Sequence, residues 1–307
     1  MLALLAGPYP ALPGDPPARL RATLEDQLAA GCGVVSDGIV HDPLPDGAPA
    51  ALVAAWRTAR AVADALAADA GVPPVPVGLV LRGPLAAGGA DAVAVARVRA
   101  ACDALAAAGA PAVIRAEPWL LDPAAATDAG RARALAAWRP LLDGLALHVT
   151  LAAHGGALAP FGAEALAAAP FPSHYLDLIH GPDDWRVAAR LPTERGVVLG
   201  VADPRTLAPD PLAVLVWAAR YAAAQGGRGP DRVALAPAGG FADLPPAIAR
   251  GKLVLLAQAA HTAVLAPDAL ARTLDPRAVS ARAAATGAVR PPTRRRPARR
   301  PGVPDAG

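Results

Sequence analysis

The stretch GVVLGVADPRTLAPDPLAVLVWAARYAAAQGGRGPDRVALAPAGG (196–240) decides the fold. It opens on an apolar run, GVVLGVAD (196–203), passes through an alanine-rich helical segment at 209–225, and returns to a second apolar run, RVALAPAGG (232–240). Continuous apolar runs, rather than alternating ones, mark strands buried on both faces. Strand, helix, strand in this order is the unit of a parallel sheet.

The unit repeats along the chain. LALLAG (2–7), GVVSDG (33–38), VGLVLRG (77–83), AVIRAEP (112–118), LALHVTL (145–151) and YLDLIH (175–180) complete the set of predicted strands. Between them lie alanine-rich segments at 17–30, 50–70, 90–108, 125–142 and 245–264. Eight units over this length predict a single (β/α)8 TIM barrel spanning 1–285, with 286–307 as a disordered basic tail.

Composition agrees. The 307 residues are 54% hydrophobic and 18% charged, with a mean hydropathy of +0.34, which excludes a disordered chain. Aromatics supply only 4%, so Ala, Val and Leu must build the core. The formal charge of +3 hides an asymmetry: six arginines fall in 290–307 with one acid, Asp305, and the body is slightly acidic. The sequence pI of 9.3 therefore reflects the tail, whose nucleic-acid contacts are expected to be non-specific. No uninterrupted apolar run reaches the roughly 18 residues of a membrane span. Two cysteines, Cys32 and Cys102, without a CxxC pair exclude a disulfide framework, read as core residues, and fit a cytoplasmic protein.

In a TIM barrel the active site forms at the C-terminal ends of the strands. That rule nominates Asp37, Arg82, Glu117, Asp122, His148, Thr150, His180, Asp203, Arg205 and the Gly239–Gly240 loop. RGPLAAGG (82–89) has neither a P-loop lysine nor G-x-G-x-x-G spacing, so no nucleotide site is expected.

In order along the chain, these segments resemble the catalytic barrel of cobalamin-independent methionine synthase. GPYP (7–10), QLAAGCGVVSDGIV (27–40), LRGPL (81–85), IRAEPWLLD (114–122), LHVTL (147–151), LGVADPRT (199–206) and LAPAGGF (235–241) carry the resemblance over roughly residues 2–265. It implies a methyltransferase of methionine biosynthesis in which zinc, held by His, Cys and Glu ligands, activates a thiol that takes a methyl group from folate. Cobalamin is not implied.

The departures fall on the chemistry. His148 matches the first zinc ligand, but Thr150 and Gly239 stand where the family has cysteines, and His180 stands where it has the glutamate. Ile39 and Ala116 replace acids that hold the substrate, and Arg205 replaces a catalytic His. Soft thiolate ligands are thus missing, and the family's N-terminal barrel, which helps bind folate polyglutamate, has no counterpart. The expectation is a divergent methyltransferase acting on a small-molecule thiol or related acceptor. Asp203, Arg205 and Glu117 are the catalytic candidates. Tyr9, Asp37, Arg82, Trp119 and Asp122 are the substrate-binding candidates, and His148 and His180 the residual metal ligands. The alternatives are a non-catalytic or ligand-binding barrel acting as a partner subunit, and a metal-free decarboxylase-like enzyme; the expected partners are a small-molecule substrate and a partner protein or a second copy of the chain.

Overall fold

Eight parallel strands pair in the order β1-β8-β7-β6-β5-β4-β3-β2. They are β1 (Leu2–Ala3), β2 (Val35–His41), β3 (Val77–Arg82), β4 (Ala112–Ala116), β5 (His148–Ala152), β6 (Ser173–Asp177), β7 (Gly196–Ala202) and β8 (Val233–Pro237). A parallel bridge between Leu4 and Val34 joins the two ends of that order, giving the curled sheet of a TIM barrel. This is a computed structural model that describes residues 1–87 and 91–274. The predicted tail at 286–307 lies outside the described residues.

The helices of the barrel are α1 (Pro16–Ala30), α2 (Ala48–Asp69), α3 (Ala92–Ala107), α4 (Asp128–Leu142), α5 (Ala163–Ala168), α6 (Trp185–Arg190), α7 (Leu212–Ala224) and α8 (Pro246–Ala263). The chain divides into Met1–Leu265 and Ala266–Gly307. In the second unit, α9 (Pro267–Leu274) is the described element.

Local chemistry explains the helix starts. Asp15 accepts a hydrogen bond from Ala18 N at 2.9 Å ahead of prolines at the first two positions of α1. Asp91 and Thr127 cap α3 and α4 in the same way, each satisfying a free helical N–H. Gly31 ends α1 at φ 84°, a conformation glycine adopts without steric cost.

Side chains alternate along each strand. The inward set includes Leu4, Ala6, Ala152, Tyr175, Val198, Ala234 and Ala236, which form one buried cluster. The outward set packs under the helices, where Trp138 and Leu141 of α4 and Val216 and Ala219 of α7 are buried. Cys32 and Cys102 are free and buried, as the sequence predicted. Among the described residues no helix is long and apolar enough to cross a membrane.

Candidate functional site

Strand β6 supplies the centre of the C-terminal face. Its inward positions are Ser173, Tyr175 and Asp177, in rising order along the barrel. Asp177 is fully buried and saturated with donors. Oδ1 accepts from the backbone N–H groups of Ile179 (3.2 Å) and His180 (3.0 Å). Oδ2 accepts from Gly155 N–H at 2.8 Å and from His180 Nδ1 at 2.9 Å. The carboxylate thus fixes the imidazole with Nδ1 protonated, leaving Nε2 as the free acceptor. The His180 side chain is 23% exposed, enough to meet a substrate.

Tyr175 lies below this pair. Its hydroxyl donates to Pro237 O at 2.7 Å and accepts from Gly239 N–H at 2.8 Å. A Cβ at Gly200 would stand 2.2 Å from that hydroxyl, so glycine there lets the phenol pass from β6 to β8. Burial pushes the Tyr175 pKa well up; the residue is a brace. His154, at the mouth end of β5, packs its ring edge-on to Tyr175 at 4.7 Å between centroids. Burial pulls its pKa down to about 4, against the attraction of Asp177, so the ring is neutral at pH 7.

Beside the dyad, Arg205 forms a two-pronged pair with Asp203, Nε to Oδ1 at 3.0 Å and an Nη to Oδ2 at 3.1 Å. The hydrogen-bonded guanidinium holds the Asp203 carboxyl below its usual range. In return Asp203 and, more weakly, Asp177 raise the Arg205 pKa. Asp203 N–H donates to Asp210 Oδ1 at 3.0 Å, and buried Lys252 holds the other Asp210 oxygen at 2.9 Å. The chain's one lysine therefore anchors the loop that carries Arg205.

The nominated residues divide accordingly. Asp203, Arg205 and His180 share one side of the mouth. Glu117 is fully buried, with Oε2 accepting from Leu85 N–H at 3.2 Å and Oε1 from Trp138 Nε1 at 3.4 Å. These bonds tie the end of β4 to α4. Asp122 is exposed and caps Ala124 N–H at 2.7 Å. Trp119 lies under the Arg133 guanidinium, 5.8 Å from its centroid, and Arg82 ends β3 exposed. Tyr9 is buried, donating to Asp26 Oδ2 at 3.0 Å, and Asp26 in turn pairs with Arg250 at 2.7 Å. Asp37 holds His41 Nε2 at 2.7 Å at the base of a groove of about 570 Å³ between α1 and α2.

His148 and Thr150 are corrected. The sequence places them at a strand end, but β5 starts at His148, because Gly144, with φ 63°, carries a turn through the predicted first half of the strand. With Thr150 paired to Ser173, His148 lies about six residues, or roughly 20 Å, from Asp177 along the strand direction. It sits at the opposite end of the barrel from His180. The mouth-end histidine of β5 is His154. Thr150 bonds Ser173 at 2.6 Å, and Gly239 offers no ligand. The four positions that match the family's zinc ligands do not converge, so a zinc ion of that kind does not fit them. Among the described residues no group of three or more His, Cys, Asp or Glu side chains is placed to hold a metal ion.

The partner of His180 was missed in the sequence. Asp177 and His180 stand three apart in YLDLIH (175–180), the spacing at which a strand-end Asp reaches back to a His in the next turn.

No protein-family model matches the sequence, and neither does any curated protein. The fold does find counterparts among solved structures. A B12-independent methionine synthase from Shewanella sp. W3-18-1, in complex with selenomethionine, superposes with a TM-score of 0.65 at 15% identity, over 85% of this chain and 97% of that one. D-psicose 3-epimerase from Clostridium cellulolyticum H10, with D-tagatose, gives 0.53 at 12% identity, over 90% and 100%. An apo homocysteine methyltransferase from Escherichia coli gives 0.50 at 14% identity, over 83% and 95%. The likeness is one of fold, shared by methyltransferase and epimerase barrels alike.

Proposed function

We propose that the protein is a small-molecule methyltransferase of the methionine-synthase-like barrel type whose acceptor is activated by a histidine rather than by a thiol-ligated metal. The observation that carries this reading is the Asp177–His180 pair at the C-terminal end of β6, beside the Arg205 cation. His180 Nε2 takes the proton of a thiol or related acceptor. The resulting anion attacks a methyl group carried on a heteroatom of the donor, and that heteroatom leaves with the bonding pair. Asp177 holds the imidazole in the correct tautomer and stabilises the imidazolium, the role a carboxylate plays behind any catalytic His. Arg205, held outward by Asp203, suits a carboxylate on the substrate. Asp203 is then a positioning residue, and neither folate nor cobalamin is required.

The test uses homocysteine as acceptor with S-methylmethionine or a methylfolate as donor, and reads methionine by mass spectrometry. His180→Gln should lower kcat about 100-fold or more with little change in KM, the ordinary worth of a general base. Asp177→Asn should shift the pH profile as well as the rate. Full activity in His180→Gln, or loss of wild-type activity on metal chelation, refutes the reading.

A further inference from the structure

We propose that the N-terminal end of the barrel holds a second small-molecule site, for an uncharged hydrophobic molecule bearing one hydroxyl or carbonyl group. The interior of a TIM barrel is ordinarily filled by layers of bulky branched side chains. Here the lower layer is thin: Gly78, Ala112, Gly196 and Ala234 face inward and leave a cavity of about 510 Å³ open at that end. This volume falls within the range of ligand pockets. Leu2, Leu4, Val34, Val80, Ile114 and Val198 form its apolar walls.

One wall is polar, and its groups are linked. Ser173 Oγ lies 2.9 Å from His148 Nε2 and 2.6 Å from Thr150 Oγ1. Ser173 and Thr150 are 3% and 5% exposed, whereas His148 lies open at the entrance. Ser173 has one proton to give, so the chain runs in either direction. If His148 donates to Ser173 and Ser173 to Thr150, the Thr150 proton is free for a ligand carbonyl. If Thr150 donates to Ser173 and Ser173 to His148, oxygen lone pairs are free for a ligand hydroxyl. The relay thus recognises both groups and forms a neutral hydrogen bond with each.

Charge is kept at the rim. Glu194, Asp231 and Arg232 edge the opening and are exposed, while among the described residues no other charged side chain lines the cavity. Although His148 is open at the entrance, the surrounding chain desolvates its ring enough to lower its pKa, so the imidazole adds no charge that would draw in an anion. A charged head drawn into the well would lose its hydration without a counter-charge. This site is at the opposite end of the barrel from His180 and does not depend on the chemistry proposed there.

The probes are 1-octanol, 2-octanone and octanoate, titrated into the full chain and followed by backbone amide NMR shifts. Octanol and octanone should give saturable shifts at Gly78, Thr150, Ser173 and Ala234. Ala112→Phe, which fills the well, should weaken both at least tenfold. Ala234→Leu, from another wall, reads the same effect if the first variant does not fold. Thr150→Val, which keeps the shape but removes the hydroxyl that faces the ligand, should weaken octanone about tenfold, the worth of one buried hydrogen bond. No saturable shift with either neutral probe, undiminished binding in the filled variants, or tighter binding of octanoate than of octanol overturns the proposal.

Discussion

Acidification from pH 7 to pH 5 should destabilise this barrel by about 3 kcal/mol, although no catalytic group need titrate. His154 and His174 are held neutral by burial, each with its pKa lowered from 6.5 to about 4. His174 gives Nε2 to Leu166 O at 3.1 Å, its Nδ1 has no partner, and nearby Arg195 and Arg228 further oppose its protonation. Between pH 6.5 and pH 4 the unfolded chain binds protons at these rings that the folded chain does not, so stability falls as pH falls through that window. At pH 5 each ring accounts for about 2 kcal/mol. Asp184 acts oppositely. Burial raises its pKa from 3.8 to about 6 despite hydrogen bonds from Leu158 and Ala159, so protonation on acidification regains about 1 kcal/mol. Asp203, whose pKa is lowered, loses its contribution only below the ordinary carboxylate range and stays outside the window. Urea unfolding followed by circular dichroism at pH 7, 6 and 5 measures the sum, and the midpoint should drop by about 1 M. His174→Gln, which keeps a donor for Leu166 O, should remove about half of the histidine contribution. A midpoint that stays level or rises on acidification, or an unchanged acid sensitivity in His174→Gln, refutes the reasoning.

Three further outcomes are expected. Tyr175→Phe removes the hydroxyl bonded to Pro237 O and Gly239 N–H, which should cost about 1–3 kcal/mol and speed amide exchange at Gly239. Unchanged exchange there would show that the brace is dispensable. Gly83→Ala places a Cβ 2.0 Å from the buried Glu117 carboxyl, so it should destabilise by about 3 kcal/mol, and Glu117→Ala in the same chain should relieve part of that loss; an additive double variant argues against the collision. Cys32, its thiol pushed up to about 12 by burial, and Cys102, also raised by burial, should resist a thiol-specific disulfide reagent until the protein unfolds, and fast labelling of the native chain would contradict their placement.

Strand and helix order were legible because apolar runs and alanine-rich segments alternate without ambiguity. The predicted helix at 245–264 is α8 (Pro246–Ala263), and the predicted strand at 196–203 is β7 (Gly196–Ala202). The depth of each residue in the barrel was less legible. The run LALHVTL (145–151) reads as one strand, yet pairing begins only at His148, and that shift of three residues sends His148 to the wrong end. In YLDLIH (175–180) the strand closes at Asp177, not at His180, so the acid that orients the imidazole stands at the strand end rather than within a strand running to 180. Glu117 shows the converse limit. A strand-end glutamate was expected to face the mouth, but side-chain alternation turns it toward Trp138, and only the pleat of the folded strand reveals that.

Scarce aromatics tie the two ends of the barrel together. Ala6, Ala152, Ala234 and Ala236 face inward, so small side chains supply much of the barrel interior. Tyr175 spans the upper layer by itself, and its room comes from the missing side chain at Gly200. Among the described residues no Phe, Tyr or Trp side chain lines the lower layer, where Ser173, two positions earlier on the same strand, stops at a hydrogen bond to Thr150. The mouth is therefore braced beneath Asp177 and His180 by Tyr175, which favours a fixed base, while the far end is left hollow. A larger side chain at Ser173 would close the well and abolish its relay without touching the dyad. The two ends of β6 are for that reason separable by mutation: a larger side chain at Ser173 should alter octanol binding alone, and a change at His180 only the methyl transfer proposed above.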